Sequence, residues 1–475
     1  MTMITLLYQW HRRLVWLVTL PLLGWCISGL IPPLITTFFK IEPAHQQLEA
    51  KTVPFDSTAF SLQQLLEQQQ IPTFQQVRWI DYQGEPYYQI WQDPSTPLYL
   101  HQQTGKVLEQ GEEQYAKALA QHFLGDSSSA ITTVERISHF NTTYPSSHKL
   151  LPVYRVSFDR ADGPVVYVAT QSSRLATLAT EGQQKLHAVF NNLHYWSFLD
   201  AWPSIKYWVM LFFIILGFLS AISRLLVYGL GWQQLQKKFP KATLGNWHRR
   251  LGLLMAFPLL AFTFSGGYHI IIQQQQPAPP ILQPPSYSTQ ELALLPTLQK
   301  KFKDRPVENI SLVSLEGQHF FQVHWLLQQE PPSYFNTQNL QRISQGEERY
   351  ALALAQLYSP LPKEQILKTE AVEEFGVEYK AFNRRLPVRK VVYNTPEQHE
   401  VYIATRAGGL AAVIQRKDRV EMASFLKWHE YYFLEQLLGE QVRQLVLVLV
   451  VLLIMVGQVL EMGLWWGRRN YKTHG

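Results

Sequence analysis

The 475-residue chain has one cysteine, Cys26, so an intrachain disulfide is impossible. The bulky Trp25 before it also makes Cys26 a poor lipidation site. No Ser-His-Asp pattern, no HExxH and no Gly-rich phosphate loop occurs, which leaves no trusted catalytic constellation. No small-residue cleavage site follows the first apolar run, so that run reads as a retained span and not as a signal peptide. A formal net charge of +6 would suit a nucleic-acid partner, but the basic residues cluster beside apolar runs. Such clusters are membrane topology signals, and no nucleic-acid partner is expected. The mean hydropathy of −0.11 has the look of a soluble protein. It is an average over four apolar blocks and much polar sequence between them.

What the chain does contain, it contains twice. Trp10-His11-Arg12-Arg13-Leu14 recurs as Trp247-His248-Arg249-Arg250-Leu251, and Pro21-Leu22-Leu23 as Pro258-Leu259-Leu260. His11 to His248 and Ser28 to Ser265 share one offset of 237 residues. After a two-residue slip, Gly111-Glu112-Glu113 recurs as Gly346-Glu347-Glu348, and Tyr167-Val168-Ala169-Thr170 as Tyr402-Ile403-Ala404-Thr405. His194 falls on His429. Two tandem halves meeting near residue 240 are therefore expected.

The apolar blocks run over Leu14–Phe39, Tyr207–Leu230, Leu251–Ile272 and Leu445–Trp466. Each reaches the ~20 residues that cross a hydrocarbon core. Arg12 and Arg13 precede the first. Lys237, Lys238, Lys241, Arg249 and Arg250 lie between the second and third, and Arg468, Arg469 and Lys472 follow the fourth. The positive-inside rule puts these groups, and both termini, in the cytoplasm. Helices are expected in 1–39, 201–232, 247–273 and 441–467. A cytoplasmic loop is expected at 233–246 and a cytoplasmic tail at 468–475. The segments 40–200 and 274–440 then lie outside, which in a Gram-negative cell is the periplasm. Each half carries two spans, so the halves insert the same way round, with their axis along the membrane normal.

The outer segments read as α+β. Phe60–Gln69 and Glu112–Phe123 are helical by apolar spacing. Val77–Tyr82, Tyr87–Trp91, Leu98–His101, Val153–Phe158 and Val165–Thr170 are strand-like, with turns at Gly84-Glu85-Pro86, Thr104-Gly105 and Asp162-Gly163. The linker Gln273–Pro285 is Pro- and Gln-rich and reads as extended. Arg384, Arg385, Arg389 and Lys390 form a basic cluster with two readings, a site that attracts an anionic ligand and, as the plainer one, a solvated loop.

Of the fifteen histidines, His45, His101, His122, His139, His148, His319, His324, His399 and His474 have no mirrored partner and read as surface residues. His11, His248, His194 and His429 survive in both halves and sit at helix ends, where ionisable groups are usually functional. A structural zinc would want four close ligands. Two imidazoles facing across an axis suit the axial positions of a heme iron, and two such pairs suit two hemes. Such iron has no open coordination site, which favours electron transfer by an outer-sphere route. Arg12, Arg13, Arg249 and Arg250 are candidate partners for heme propionates. His187 and His269, unmirrored but near the outer pair, are alternates. Arg224 and Glu461, 237 residues apart, are expected to pair with each other.

The Trp-His-Arg-Arg-Leu and Ser-Gly words, Trp428-His429 with Leu438-Gly439-Glu440-Gln441-Val442-Arg443, and the turn Thr104-Gly105-Lys106-Val107-Leu108 together resemble the PepSY-associated transmembrane proteins of bacteria, often described as iron-regulated membrane proteins. The likeness covers nearly the whole chain. In the first half, Leu199-Asp200-Ala201-Trp202 stands where the second has Leu438-Gly439-Glu440. The fold class this resemblance implies is a mixed membrane protein, with four transmembrane helices in two tandem repeats plus two periplasmic α+β PepSY-like domains. It implies heme b on His11, His248, His194 and His429, and an inner-membrane, multi-pass reductase that frees iron from a periplasmic ferric siderophore. No nucleotide fingerprint occurs, so the electron donor is a quinol or a separate reductase. The competing readings are a non-enzymatic PepSY binding or inhibitory module, and a siderophore transporter. The transporter is disfavoured by the want of Pro/Gly-broken helix pairs.

Overall fold

A computed structural model of the chain describes residues 3–39, 41–49, 51–53, 60–94, 96–141, 143–145, 148, 150–238, 244–276, 283–326, 330–376, 378–380 and 385–473. Lys241, Arg384 and His474 lie outside the described residues. The first half holds α1 (Met3–Gly29), α2 (Ile31–Phe38), α3 (Leu62–Gln68), β1 (Thr73–Phe74), β2 (Gln76–Tyr82), β3 (Glu85–Trp91), β4 (Leu98–His101), α4 (Gly111–Leu124), β5 (Ile131–Ile137), β6 (Val153–Phe158), β7 (Val165–Ala169), β8 (Arg174–Ala179), α5 (Glu181–His194) and α6 (Pro203–Lys238). The second holds α7 (Leu244–Gln274), β9 (Tyr287–Ser288), α8 (Leu295–Lys301), β10 (Val307–Leu315), β11 (Gln318–Trp325), β12 (Ser333–Asn336), α9 (Gly346–Tyr358), β13 (Ile366–Val372), β14 (Val388–Tyr393), β15 (Glu400–Ala404), β16 (Gly409–Ile414), α10 (Arg416–Trp428), α11 (Tyr432–Leu438) and α12 (Glu440–Thr473). The chain divides into one unit of residues 1–40, 182–277 and 416–475, and another of 41–181 and 278–415.

Among the described residues of the first unit four helices are long and apolar enough to cross a membrane, over Leu6–Phe38, Pro203–Leu230, Trp247–Gln274 and Glu440–Gly463. This is the build of a membrane protein. Pro32 and Pro33 fall in the first turn of α2, where their missing N–H groups cost nothing, and this divides the first span into α1 and α2. Pairwise, α1 packs on α6 and α12, and α7 packs on the same two, which closes a four-helix ring. Val18, Leu22, Ala221 and Leu259 fill one layer of it, and Cys26, Met255, Val451 and Ile454 another. A Cβ on Gly217 would stand 3.2 Å from Thr263, and one on Gly267 3.2 Å from Ile214, so α6 and α7 meet through small residues as membrane helices do. Leu20, Trp208, Phe257 and Leu445 point outward, apolar faces that hydrocarbon accepts and water does not.

In the second unit every sheet is antiparallel. Three-stranded β2-β3-β4 is mirrored by β10-β11-β12, and four-stranded β5-β6-β7-β8 by β13-β14-β15-β16. Helix α4 lies on β6, β7 and β8, and α9 on β14, β15 and β16. The repeated words explain themselves here. Glu112, buried, accepts hydrogen bonds from the Tyr99 phenol and the Thr170 hydroxyl, while Glu347 accepts them from Tyr334 and Thr405. Gly111 and Gly346 let the helix start press on those tyrosines, since a Cβ would come within 2.7 Å and 2.5 Å of the rings. Burial and the adjoining carboxylates hold both phenols well above their ordinary pKa, so they stay protonated and donate. Replacing Glu112 by leucine leaves two buried hydroxyls without their acceptor, at about 1–3 kcal/mol each. Denaturant unfolding should show a loss of about 3 kcal/mol, and an unchanged midpoint would mean that the knot is ornamental.

Several boundaries move. The division into units falls at 181 and 415, ahead of the expected segment ends at 200 and 440, and groups α5 and α10 with the apolar helices, whose spans begin at Pro203 and Glu440. The two outer segments share a core. Val53, Leu65, Phe74, Val77 and Leu100 pack with Tyr287, Leu295, Phe321 and Phe335, and β1 pairs with β9. The expected loop 233–246 is helical over 233–238 and 244–246, and the start of the expected extended linker, Gln273 and Gln274, completes α7. Strands β5 and β8 escape the sequence reading: β5 exposes most of its side chains, and β8 holds two alanines and two leucines with Thr177 as its one β-branched residue. His324 and His399, read as surface residues, are buried.

Candidate functional site

Two histidine clusters form in the first unit, at opposite ends of α1 and α7. Seventeen residues separate His11 from Ser28, and His248 from Ser265. At about 1.5 Å per helical residue this places the clusters roughly 25 Å apart along the helix axis.

The first cluster joins His194 and His429. Their ring centres are 6.2 Å apart and their planes stand at 87°. Each is stacked on a phenylalanine one helical turn earlier, Phe190 at 4.8 Å and Phe425 at 4.6 Å. Each Nδ1 meets a serine hydroxyl, Ser28 at 3.0 Å for His194 and Ser265 at 3.2 Å for His429. Behind them Trp25 stacks on Trp196 at 5.5 Å, and Phe262 on Tyr431 at 5.6 Å. The Trp25 indole donates to the His194 carbonyl at 3.1 Å. The whole arrangement obeys the twofold relation that the sequence offset implies.

His269 and His187 fare differently. His269 stands beside the pair, its Nδ1 2.6 Å from Glu421 Oε1 and its ring on Phe425. His187 is exposed and makes no hydrogen bond or ion pair among the described residues.

Burial, followed by the neighbouring His269, lowers His194 to about 4. Burial, then His194 and His269, lowers His429 to about 3. Both rings are neutral at pH 7, the form that donates a lone pair to a metal. An unfolded imidazole titrates near 6.5. Between these values the unfolded chain binds more protons than the folded one, so stability rises with pH across the window. The metal-free protein should therefore lose thermal stability as pH falls from about 6.5 toward 4. His429→Gln should shallow that slope, and a flat profile in the parent would show that the rings are not held neutral.

The second cluster joins His11, His248 and Glu461, whose donor atoms all lie within 4.8 Å of one another. His11 Nδ1 meets Ser223 Oγ at 2.8 Å, which leaves its Nε2 toward Glu461 Oε1 at 3.8 Å. His248 Nε2 lies 3.6 Å from Glu461 Oε2. Arg224, buried, places Nη2 3.5 Å from the same Oε2, so the expected pairing of Arg224 with Glu461 forms. Among the described residues this is the one group of three or more such ligands. Arg12 is exposed, Arg13 lies over the Trp10 ring and Arg249 is half-buried. The guanidinium that reaches the cluster belongs to Arg224.

The donor sets differ in kind. His194 and His429 offer two neutral imidazoles whose Nδ1 atoms are taken by serines, so the two Nε2 atoms are the nitrogens that would hold a heme iron if one were bound. His11 and His248 offer the same two nitrogens with a carboxylate between them. That set also fits a single divalent ion, as His₂Glu does elsewhere.

The structure places the four mirrored histidines in two pairs, His194 with His429 and His11 with His248. Sequence reasoning missed the serines, although Ser28-Gly29 and Ser265-Gly266 were among the repeated words, and it missed the stacked Phe190 and Phe425, which share the offset of their histidines. Compared with known proteins, the chain matches no family model, and no curated protein is similar to it.

Proposed function

We propose that this chain is a membrane heme protein of the PepSY-associated type that carries electrons across the bacterial inner membrane to a ferric siderophore. The observation that carries this reading is the mirrored pair His194–His429, two neutral imidazoles with serine-held Nδ1 atoms and stacked rings. Bound there, heme b would supply a one-electron couple. The chain's own part is to hold and screen. Ser28 and Ser265 fix which nitrogen each ring presents, Phe190 and Phe425 fix the ring planes, and the aromatic stacks Trp25–Trp196 and Phe262–Tyr431 keep water away. Iron reduced at the periplasmic side would leave a hard oxygen chelator more readily, since Fe(II) is softer.

On this reading both termini are cytoplasmic, as the basic flanks favour, the residues of the second unit are periplasmic, and a quinol or separate reductase supplies the electrons. His11 and His248 would carry the second heme. Glu461 favours one rival for that cluster alone, a divalent ion held by His11, His248 and Glu461.

The test is a visible spectrum and heme count of the purified protein. Two hemes per chain are expected, with His11→Leu or His248→Leu lowering absorbance by about half. One heme with one equivalent of a divalent metal would favour the rival, and no heme at all would end the reductase reading.

A further inference from the structure

The sequence shows a basic run at Arg384–Lys390, and the fold takes that run apart. Lys390 turns to carboxylates, with Glu400 at 3.1 Å, Glu378 at 3.5 Å and Glu370 at 3.8 Å. Arg385 goes elsewhere, to a place in the second unit where arginines from four separate segments converge.

The convergence is built by short links. Arg78 on β2 donates to the Gln171 carbonyl and the Ser173 hydroxyl. Arg174 follows Ser173 and donates to the Leu386 carbonyl at 3.0 Å, next to Arg385. Arg385 donates to the Leu410 carbonyl. Arg406 pairs with Glu308 at 3.0 Å. Glu308 precedes Asn309, whose side chain accepts from the amide of Trp79, the residue after Arg78, at 3.2 Å.

Burial, then Arg406, Arg385 and Arg78 in turn, lowers the pKa of Arg174. Burial and Arg406 push His324, itself buried, down to about 3. Nδ1 of His324 and Nε of Arg406 are buried with no hydrogen-bond partner among the described residues. Arg78 and Arg385 give their bonds to neutral acceptors, and the named carboxylate is Glu308. Glu112 and Glu347 are already engaged by tyrosine and threonine hydroxyls. As residues, all four arginines are half-buried.

Like charges gathered at partly buried positions repel unless an anion joins them, and the planar guanidinium fork matches carboxylate and phosphate oxygens. We infer that Arg78, Arg174, Arg385 and Arg406 form a binding site for a small polyanion. Four forks from four segments suit a ligand with several carboxylates better than one compact tetrahedral ion. The biological identity rests on the reductase reading: the ligand is then a negatively charged ferric polycarboxylate chelate, and cationic chelates are poor substrates.

Gallium(III) citrate tests the site without redox chemistry. Calorimetric titration of the full-length protein should show binding that weakens with salt. Arg174→Gln and Arg406→Gln should each lower affinity at least tenfold, while Arg136→Gln on the exposed strand β5 leaves it unchanged. Arg406→Gln bares Glu308, so Arg406→Gln/Glu308→Gln is the companion variant, and it should fold and still bind weakly. A cationic gallium trihydroxamate should not bind. Equal binding by parent and both arginine variants, or no binding of gallium citrate, overturns the site. Tighter binding of inorganic phosphate than of gallium citrate overturns the polycarboxylate assignment. Gallium binding with no electron transfer to the ferric chelate would remove the reductase reading and leave the anion site standing.

Discussion

Dithionite-reduced protein carrying His429→Leu is expected to stay reduced when a ferric siderophore is added, whereas the parent is oxidised. His429 contributes one of two imidazoles at the end of the ring where Ser28 and Ser265 hold the Nδ1 atoms. With His429 replaced, the pair is reduced to His194 alone. On the proposed reading heme content should fall by about half, and the heme proposed for His11 and His248 should still reduce. Loss of a partner that merely orients a metal ligand costs about 10–100-fold in affinity or activity, so Ser265→Ala should fall in that range and His429→Leu beyond it. The two variants thus form a graded series, measured by stopped-flow oxidation and by heme count. A His429→Leu protein that is oxidised at the parental rate would mean that electrons leave by another route, and the proposed exit would be wrong.

The repeat is what made so much of this legible. A word that occurs twice at one offset must satisfy the same local geometry twice, which is why His11, His248, His194 and His429 stood out from eleven other histidines. Strand β4 begins and ends where the apolar pattern does, at Leu98 and His101. Pattern alone does not say what a buried face packs against. Val77 and Leu100 lie on strands of the first half, yet they share a core with Phe321 and Phe335 of the other half. Nor does neighbourhood in sequence imply neighbourhood in space. Successive residues of a strand face opposite ways, and Lys390 joins the acidic residues while Arg385 donates to the Leu410 carbonyl. The repeated Gly-Glu-Glu words look as suggestive as the histidines, and they turn out to be structural, because their carboxylates are closed in by Tyr99, Thr170, Tyr334 and Thr405. Burial with every acceptor occupied is what separates the two cases, and sequence does not report it.

The other large effect is expected at Glu461. Its carboxylate stands between His11 Nε2 and His248 Nε2 and beside Arg224, whose side chain is 5% exposed. Glu461→Leu removes the counter-charge and leaves Arg224 buried, a change that costs about 3–5 kcal/mol. Adding Arg224→Met removes the stranded charge. Replacing a buried pair by apolar groups of similar size is near neutral or stabilising, so the double variant should recover most of the loss. Thermal unfolding of parent, single and double variants measures this. The same proteins decide what the cluster holds. If His11 and His248 bind heme, the stable double variant keeps two hemes per chain, because neither ligand has changed. If Glu461 is the third ligand of a divalent ion, elemental analysis should show that ion in the parent and not in the double variant. Should Glu461→Leu unfold at the parental temperature, the Arg224–Glu461 pair contributes nothing to the ring, and the carboxylate is there for its histidines alone.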